Sequence, residues 1–271
     1  MAVQPANRPK FSFQSKHSSQ AISKFLAETD NNDLFFSLSY WEIAAVGSTA
    51  RDLLEYSGAK HEKLTPSYAE WSAGKVSTAF SVMPILNVKG PNGMEIDMAE
   101  SEVIDTFLAE RFGLMGNNAW ESMTIRTFYT NIHYLRERTF TETLWVSDSE
   151  KKKARDQFLS HTLRKFLEDH EFHLQENGCN GHYVGDKLSL ADLHLANIVH
   201  FYGTVPWATA ALDEFKKYEA VWKVKETVDQ VSQLDAWHAS DEFKRFEKGS
   251  VDYYAKNCTV PEDATKEAKE E

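Results

Sequence analysis

Ser81-Val82-Met83-Pro84-Ile85-Leu86-Asn87-Val88, followed by Gly90-Pro91-Asn92-Gly93 and by Ala99-Glu100-Ser101, reads as strand, turn, second strand and helix start. Ile85, Leu86 and Val88 favour a strand, and the Gly, Pro and Asn cluster supplies a turn. Met94-Glu95-Ile96 resumes the alternation, so an antiparallel hairpin is expected. After Glu100 the period lengthens. Val103, Ile104, Phe107, Leu108 and Phe112 fall at helical spacing, with Ser101 in the cap or first turn. A helix opening there offers unbonded amides to a carboxylate. Pro84 cannot donate to a ladder, so it belongs on a sheet edge or in a cis bond that turns the preceding backbone outward.

Working outward, Leu34-Phe35-Phe36-Ser37-Leu38-Ser39-Tyr40-Trp41 is an apolar and aromatic run of strand length. Thr49 to Tyr56 places leucines and tyrosine on one helical face and stops at Gly58, and the run from Lys60 to Leu64 returns to strand. The order is βαβ followed by ββα, which predicts a compact α/β domain with a mixed sheet. Beyond Gly113-Leu114-Met115-Gly116 the periodicity is helical, over 117–139, 150–176, 189–202, 209–218 and 220–234, which predicts an all-α second domain. Ser189 and Asp192 have the spacing of a capping box, with Leu188 as the staple before it, a structural element rather than a chemical one. The expected divisions are a flexible N-terminal extension (1–33), the α/β domain (34–115), the helical domain (116–250) and a charged, disordered tail (251–271).

Composition narrows the function. A chain of 271 residues, 42% hydrophobic, can bury one large or two modest cores, and no run reaches the length of a membrane span. The net charge of −11 argues against nucleic-acid binding, which needs clustered Lys and Arg. Two cysteines, Cys179 and Cys258, are too few for a disulfide framework or a zinc cluster and fit a reducing compartment. No metal is expected: His61, His133, His161, His170, His173, His182, His194, His200 and His238 show no paired ligand spacing. The first 27 residues lack acids and carry Arg8, Lys10, Lys16 and Lys24, the composition of a polar arm or of a mitochondrial transit segment.

These residues, in this order, resemble the cytosolic glutathione transferase family of the tyrosine type, over about Leu34 to Phe246. The motifs that carry the resemblance are Tyr40-Trp41, the Trp71 and Lys75 pair, Met83-Pro84, Glu100-Ser101 and the Gly185 to Asp192 box. The resemblance implies a thioredoxin-like glutathione-binding domain before an all-helical domain. It also implies a homodimer and a cytoplasmic enzyme of detoxification, with glutathione as co-substrate and no permanently bound cofactor. In that reading Tyr40 donates to the glutathione sulfur and Met83 pairs with the cysteinyl backbone beside Pro84. Glu100 and Ser101 hold the γ-glutamyl end, and Trp71 and Lys75 the glycyl carboxylate. Phe128 and Tyr129 line the pocket for a hydrophobic electrophile, with Ile132, Tyr253 and Tyr254 as further candidates. Family members commonly follow the tyrosine with an Arg-Gly-Arg loop, whereas Tyr40 is followed by Trp41-Glu42-Ile43-Ala44-Ala45-Val46, so the expected site lacks that positive charge.

Ser37 and Ser39 are the alternative activating hydroxyls. Two other functions suit the same scaffold: a non-catalytic glutathione-transferase-like structural or interaction protein, and a glutathione-dependent isomerase or peroxidase.

Overall fold

The computed structural model describes residues 9–13 and 17–258, in two compact units. The first gathers the chain before Ile43 with Val46–Phe112. In chain order it contains α1 (Ser19–Glu28), β1 (Phe35–Ser39), α2 (Ser48–Ser57), β2 (His61–Leu64), α3 (Tyr68–Ser72), β3 (Ile85–Lys89), β4 (Glu95–Ala99) and α4 (Ser101–Arg111). The sheet order is β2-β1-β3-β4, with β1 and β2 parallel and the other pairs antiparallel. This is the small mixed sheet that the sequence predicts.

The alternation in β1 and β3 sends Phe36, Leu38, Leu86 and Val88 into the core, and Leu53 and Leu54 of α2 and Ile104 and Leu108 of α4 are fully buried as well, with α4 packed on both α2 and β3. Each such side chain contributes about 1.5–3 kcal/mol on burial. Ser67 and Glu70 close a reciprocal capping box on α3, a helix the sequence reading passed over although the Ser-x-x-Glu spacing marks it.

The N-terminal extension departs from expectation. Ser18 caps α1 through the Ala21 amide, and Phe25 is buried. Phe25 lies so close to Gly90 that a Cβ on Gly90 would collide with its ring. Arg111 fastens the segment, donating to the Leu26 carbonyl at 2.6 Å, the Thr29 carbonyl at 2.7 Å and Asn31 Oδ1 at 2.8 Å. Residues 19–33 are therefore part of the α/β unit rather than a flexible arm. Ile22, Phe25 and Leu26 at helical spacing outweigh the polar composition around them. Lys10 bridges to Thr78, and the Thr78 amide donates to the Pro9 carbonyl at 3.1 Å. The transit-segment reading rests partly on residues 1–8 and 14–16, which lie outside the described residues.

The second unit joins Ile43–Ala45 to the chain from Gly113 onward. It contains α5 (Ala119–Thr139), α6 (Lys151–Gln157), α7 (Arg164–Glu176), α8 (Leu190–Thr204), α9 (Thr209–Phe215), α10 (Glu219–Asp229), α11 (Ser232–His238) and α12 (Asp241–Cys258). A wider π turn at Phe158–Leu163 interrupts the 150–176 run that sequence periodicity reads as a single helix, and another at Phe140–Leu144 follows the end of the 117–139 run. The unit is built round α8, apolar on nearly every side and packed by α5, α9, α10 and α12. At its start Ser189 accepts from the Asp192 amide at 3.4 Å, while Asp192 accepts from the Ser189 amide at 2.8 Å and the Tyr183 amide at 2.7 Å.

The helix α12 runs eight residues into the segment expected to be a disordered tail, because Phe243, Phe246 and Tyr254 are buried along one face. The remainder of that tail, 259–271, lies outside the described residues.

Candidate active site

One rung of the sheet organises the candidate site. Leu64 of β2 pairs with Ser39 of β1, Ser39 with Ile85 of β3, and Ile85 with Ala99 of β4. Tyr40 follows this rung on β1, Pro84 precedes it on β3 and Glu100 follows it on β4, so all three leave the sheet at the same end. With strands spaced about 4.8 Å apart, the three backbones lie within about 10 Å.

Tyr40 is buried at 5% exposure, and its amide donates to the Leu64 carbonyl at 3.0 Å, which extends the ladder one residue past the strand. Gly47 sits directly against it: a Cβ there would stand 2.6 Å from the Tyr40 ring. The guanidinium of Arg51, on α2, lies 5.5 Å from the Tyr40 ring centroid and donates to the Trp41 carbonyl at 2.6 Å. Positive charge is therefore present beside Tyr40 although the loop carries no arginine. Sequence reasoning used Arg51 only as a helix marker. A helix that starts at Ser48 places residue 51 one turn in, on the face toward the preceding strand, and that signal could have found it.

Trp41 continues into an edge-to-face contact with Trp71 of α3, ring centroids 5.2 Å apart. Trp71 is buried and Lys75 is exposed just beyond the helix, its amide bonded to the Glu70 carbonyl at 2.9 Å. The Lys75 chain borders a polar cavity of about 520 Å³ that also contains Ser37, Ser39, Ile85 and Asn87 on the face of the sheet opposite Phe36 and Leu38. Strand alternation puts both serines on that face, and Ser37 donates to Glu62 at 2.7 Å. Tyr40 continues the alternation with the parity of Phe36 and Leu38, the opposite of Ser37 and Ser39.

The Met83-Pro84 peptide is cis, with Pro84 buried and Met83 half-buried. Across the rung Glu100 adopts φ 71° and ψ 122°, a conformation uncommon outside glycine. This turn brings the chain abruptly from β4 into α4 and leaves the Glu100 side chain exposed and not capping the helix. Ser101, 8% exposed, is the first helical residue. The start of α4 thus presents first-turn amides and a hydroxyl where a carboxylate would gain from the helix dipole.

The candidates for the second-substrate pocket are packed otherwise. Tyr129 is 2% exposed, its ring 4.5 Å from that of His194, and it belongs to the core of the helical unit. Phe128 stacks on Tyr183 at 4.6 Å and meets His170 and His173 edge-on. Ile132 and Tyr254 are likewise buried, while Tyr253 is exposed. The aromatic spacing of α5 serves helix packing.

The loop after Tyr40 is anchored within the helical unit. Ala44 donates from its amide to Ser250 Oγ at 2.6 Å, and that hydroxyl donates to the Ala44 carbonyl at 3.0 Å, with Ser250 buried.

Comparison with known proteins identifies the family and the fold. Residues 136–241 match the family model described as glutathione S-transferase, C-terminal domain. The chain is 30% identical over 189 residues to probable glutathione S-transferase 7 of Caenorhabditis elegans, an alignment covering 68% of this chain and 87% of that one. It is 26% identical over 203 residues to glutathione S-transferase S1 of Drosophila melanogaster, covering 74% and 77%. Its fold is shared with the sigma class GST of Fasciola hepatica, with TM-score 0.66 at 22% identity over 78% of this chain and all of that one. On these matches and on the fold together, the chain belongs to the glutathione S-transferase family.

Proposed function

We propose that the protein transfers glutathione to hydrophobic electrophiles, with Tyr40 as the residue that stabilises the thiolate. The observation that carries this reading is the shared rung Leu64–Ser39–Ile85–Ala99, which collects Tyr40, cis Met83-Pro84 and Glu100-Ser101 at one end of the sheet. Glutathione lies across it in this reading. Its γ-glutamyl carboxylate takes Ser101 and the first amides of α4, and its ammonium takes Glu100. The Met83 backbone pairs with the cysteinyl unit, and Trp71 and Lys75 hold the glycyl end.

A free thiol has a pKa near 8.5, so little of it is thiolate at neutral pH. A phenol that donates to the sulfur favours the charged form, and Arg51 adds positive charge beside that phenol. Each pKa unit gained corresponds to about 1.4 kcal/mol. The thiol proton leaves to water. The sulfur then forms a bond to the electrophilic carbon; in substitution the leaving group departs with its electron pair, and in addition the π pair of the double bond moves to the neighbouring atom, which takes a proton from water.

The enzyme works as a homodimer in the cytoplasm, in the removal of reactive electrophiles. The direct test is glutathione conjugation with 1-chloro-2,4-dinitrobenzene, together with calorimetric binding of glutathione. Saturable conjugation that falls at least tenfold in Ser101→Ala supports the reading. Absence of glutathione binding at millimolar concentration overturns it. Light scattering distinguishes dimer from monomer.

A further inference from the structure

Within the helical unit, three side chains from three helices converge. His200 lies on α8, Asp229 is the last residue of α10 and His238 the last of α11. One ligand atom from each lies within 4.8 Å of the others, and all three residues are half-buried. His200 Nε2 and Asp229 Oδ1 stand 3.1 Å apart, and the two imidazole centroids 4.9 Å apart. We propose that His200, Asp229 and His238 form a binding site for a single zinc-class divalent cation that pins α8, α10 and α11 together.

The donor set selects the metal. Two imidazoles and one carboxylate suit zinc, whereas magnesium and calcium prefer an all-oxygen shell. Tetrahedral bonds of about 2.0–2.1 Å place neighbouring ligand atoms about 3.3 Å apart. The His200–Asp229 separation already meets that spacing, and the His238 ligand atom lies within 4.8 Å of both. Three protein ligands leave the fourth position to water.

The surroundings have the features of a metal's outer shell. Lys225 forms an ion pair with Oδ2 of Asp229, which orients the carboxylate and leaves Oδ1 directed at His200. Phe243 packs against both rings, with centroids 4.5 Å from His238 and 6.1 Å from His200, and walls the site on one side. Asp229 and His238 each end a helix, where the dipole favours a cation. The residues are too far apart in sequence to show a metal-ligand spacing, and for that reason the sequence gives an expectation of no metal.

The experiment is titration of chelator-stripped, full-length protein with zinc ion by calorimetry, repeated on His200→Gln, His238→Gln and the control His173→Gln. One zinc per chain is expected, with affinity reduced more than tenfold in the first two variants and unchanged in the control. Helical circular dichroism checks that each variant is folded. The unmodified protein loaded with cobalt ion gives an independent readout: a tetrahedral visible spectrum without a thiolate charge-transfer band. No zinc binding at millimolar ion, equal affinity in all four proteins, or a thiolate band would overturn the proposal.

Discussion

The guanidinium of Arg51 stands 5.5 Å from the centre of the Tyr40 ring and donates to the carbonyl of Trp41, the next residue. One buried cation thereby fixes the backbone that carries the phenol and sets the charge beside it. In the proposed mechanism it takes the place of the arginines missing from the loop after Tyr40.

Arg51→Met removes the charge while keeping most of the apolar stem. Leaving the Trp41 carbonyl without this donor is expected to cost about 1–3 kcal/mol of stability. The kcat/KM for conjugation should fall roughly tenfold, which is about 1.4 kcal/mol of transition-state stabilisation. Arg51→Lys should recover part of the rate. Thermal unfolding with steady-state kinetics checks both numbers, and an unchanged rate in Arg51→Met would remove Arg51 from the mechanism.

Ser250 on α12 both accepts from and donates to Ala44, four residues past Tyr40. Ser250→Ala should lose about 1–2 kcal/mol of stability, because a buried amide and carbonyl each lose a partner. It should also reduce conjugation severalfold by loosening the loop that follows Tyr40. Hydrogen exchange at Ala44 and Ala45, faster in the variant, is the corresponding structural measurement.

At the start of α8, Asp192 is fully buried and accepts from the Ser189 and Tyr183 amides. Asp192→Ala strands both donors, and a loss of about 3 kcal/mol is expected. Urea denaturation should show this without a matching change in KM for glutathione, since the cap lies in the helical core.

Much of this was legible in the sequence. The hairpin around Gly90, the strand ending at Tyr40 and the capping box at Ser189 are local signals of turn chemistry, alternation and cap spacing, and each lies close to its expected position. The Ser250–Ala44 bond was not legible, because it joins residues far apart in the chain with no local signature, whereas Arg51 had a local signal in its place one turn into α2 that went unused. The N-terminal extension was misread for a related reason. Its composition is polar, and only the partners Arg111 and Gly90, far along the chain, reveal that Phe25 has a place to pack. Aromatic residues misled in the opposite direction: Tyr129 and Phe128 have the character of pocket residues but fill helix contacts.

Acid should weaken the helical unit early. Burial pushes His133 and His170 down to about 3, and His194 well below its usual value, with Arg136 adding to the effect at His133 and His194. His170 is held neutral between the Tyr183 hydroxyl at 2.6 Å and Asn131 Oδ1 at 2.9 Å. A base with a lowered folded pKa contributes stability that is present above the unfolded value, near 6.5, and lost as pH falls from there toward 3. Glu55 follows the same sign from a lower start. Burial raises its pKa, but bonds from His61 and Lys63 overcome this and bring it to about 2, so its contribution is lost only below the usual carboxylate range. Stability by helical circular dichroism should therefore decline between pH 6.5 and 4, with an uptake approaching about three protons on unfolding. His170→Gln should lower that uptake by about one; a flat profile in the unsubstituted protein would contradict the assignment.

The central claim is that Tyr40 makes bound glutathione a thiolate, and the most direct measurement is the pKa of the bound thiol, followed by its ultraviolet absorbance in the unsubstituted protein and in Tyr40→Phe. The account predicts a pKa about one to three units below the free value near 8.5, and a return most of the way to that value in the variant with glutathione still bound. A lowered pKa that is identical in both proteins would contradict it and assign activation to a group other than Tyr40.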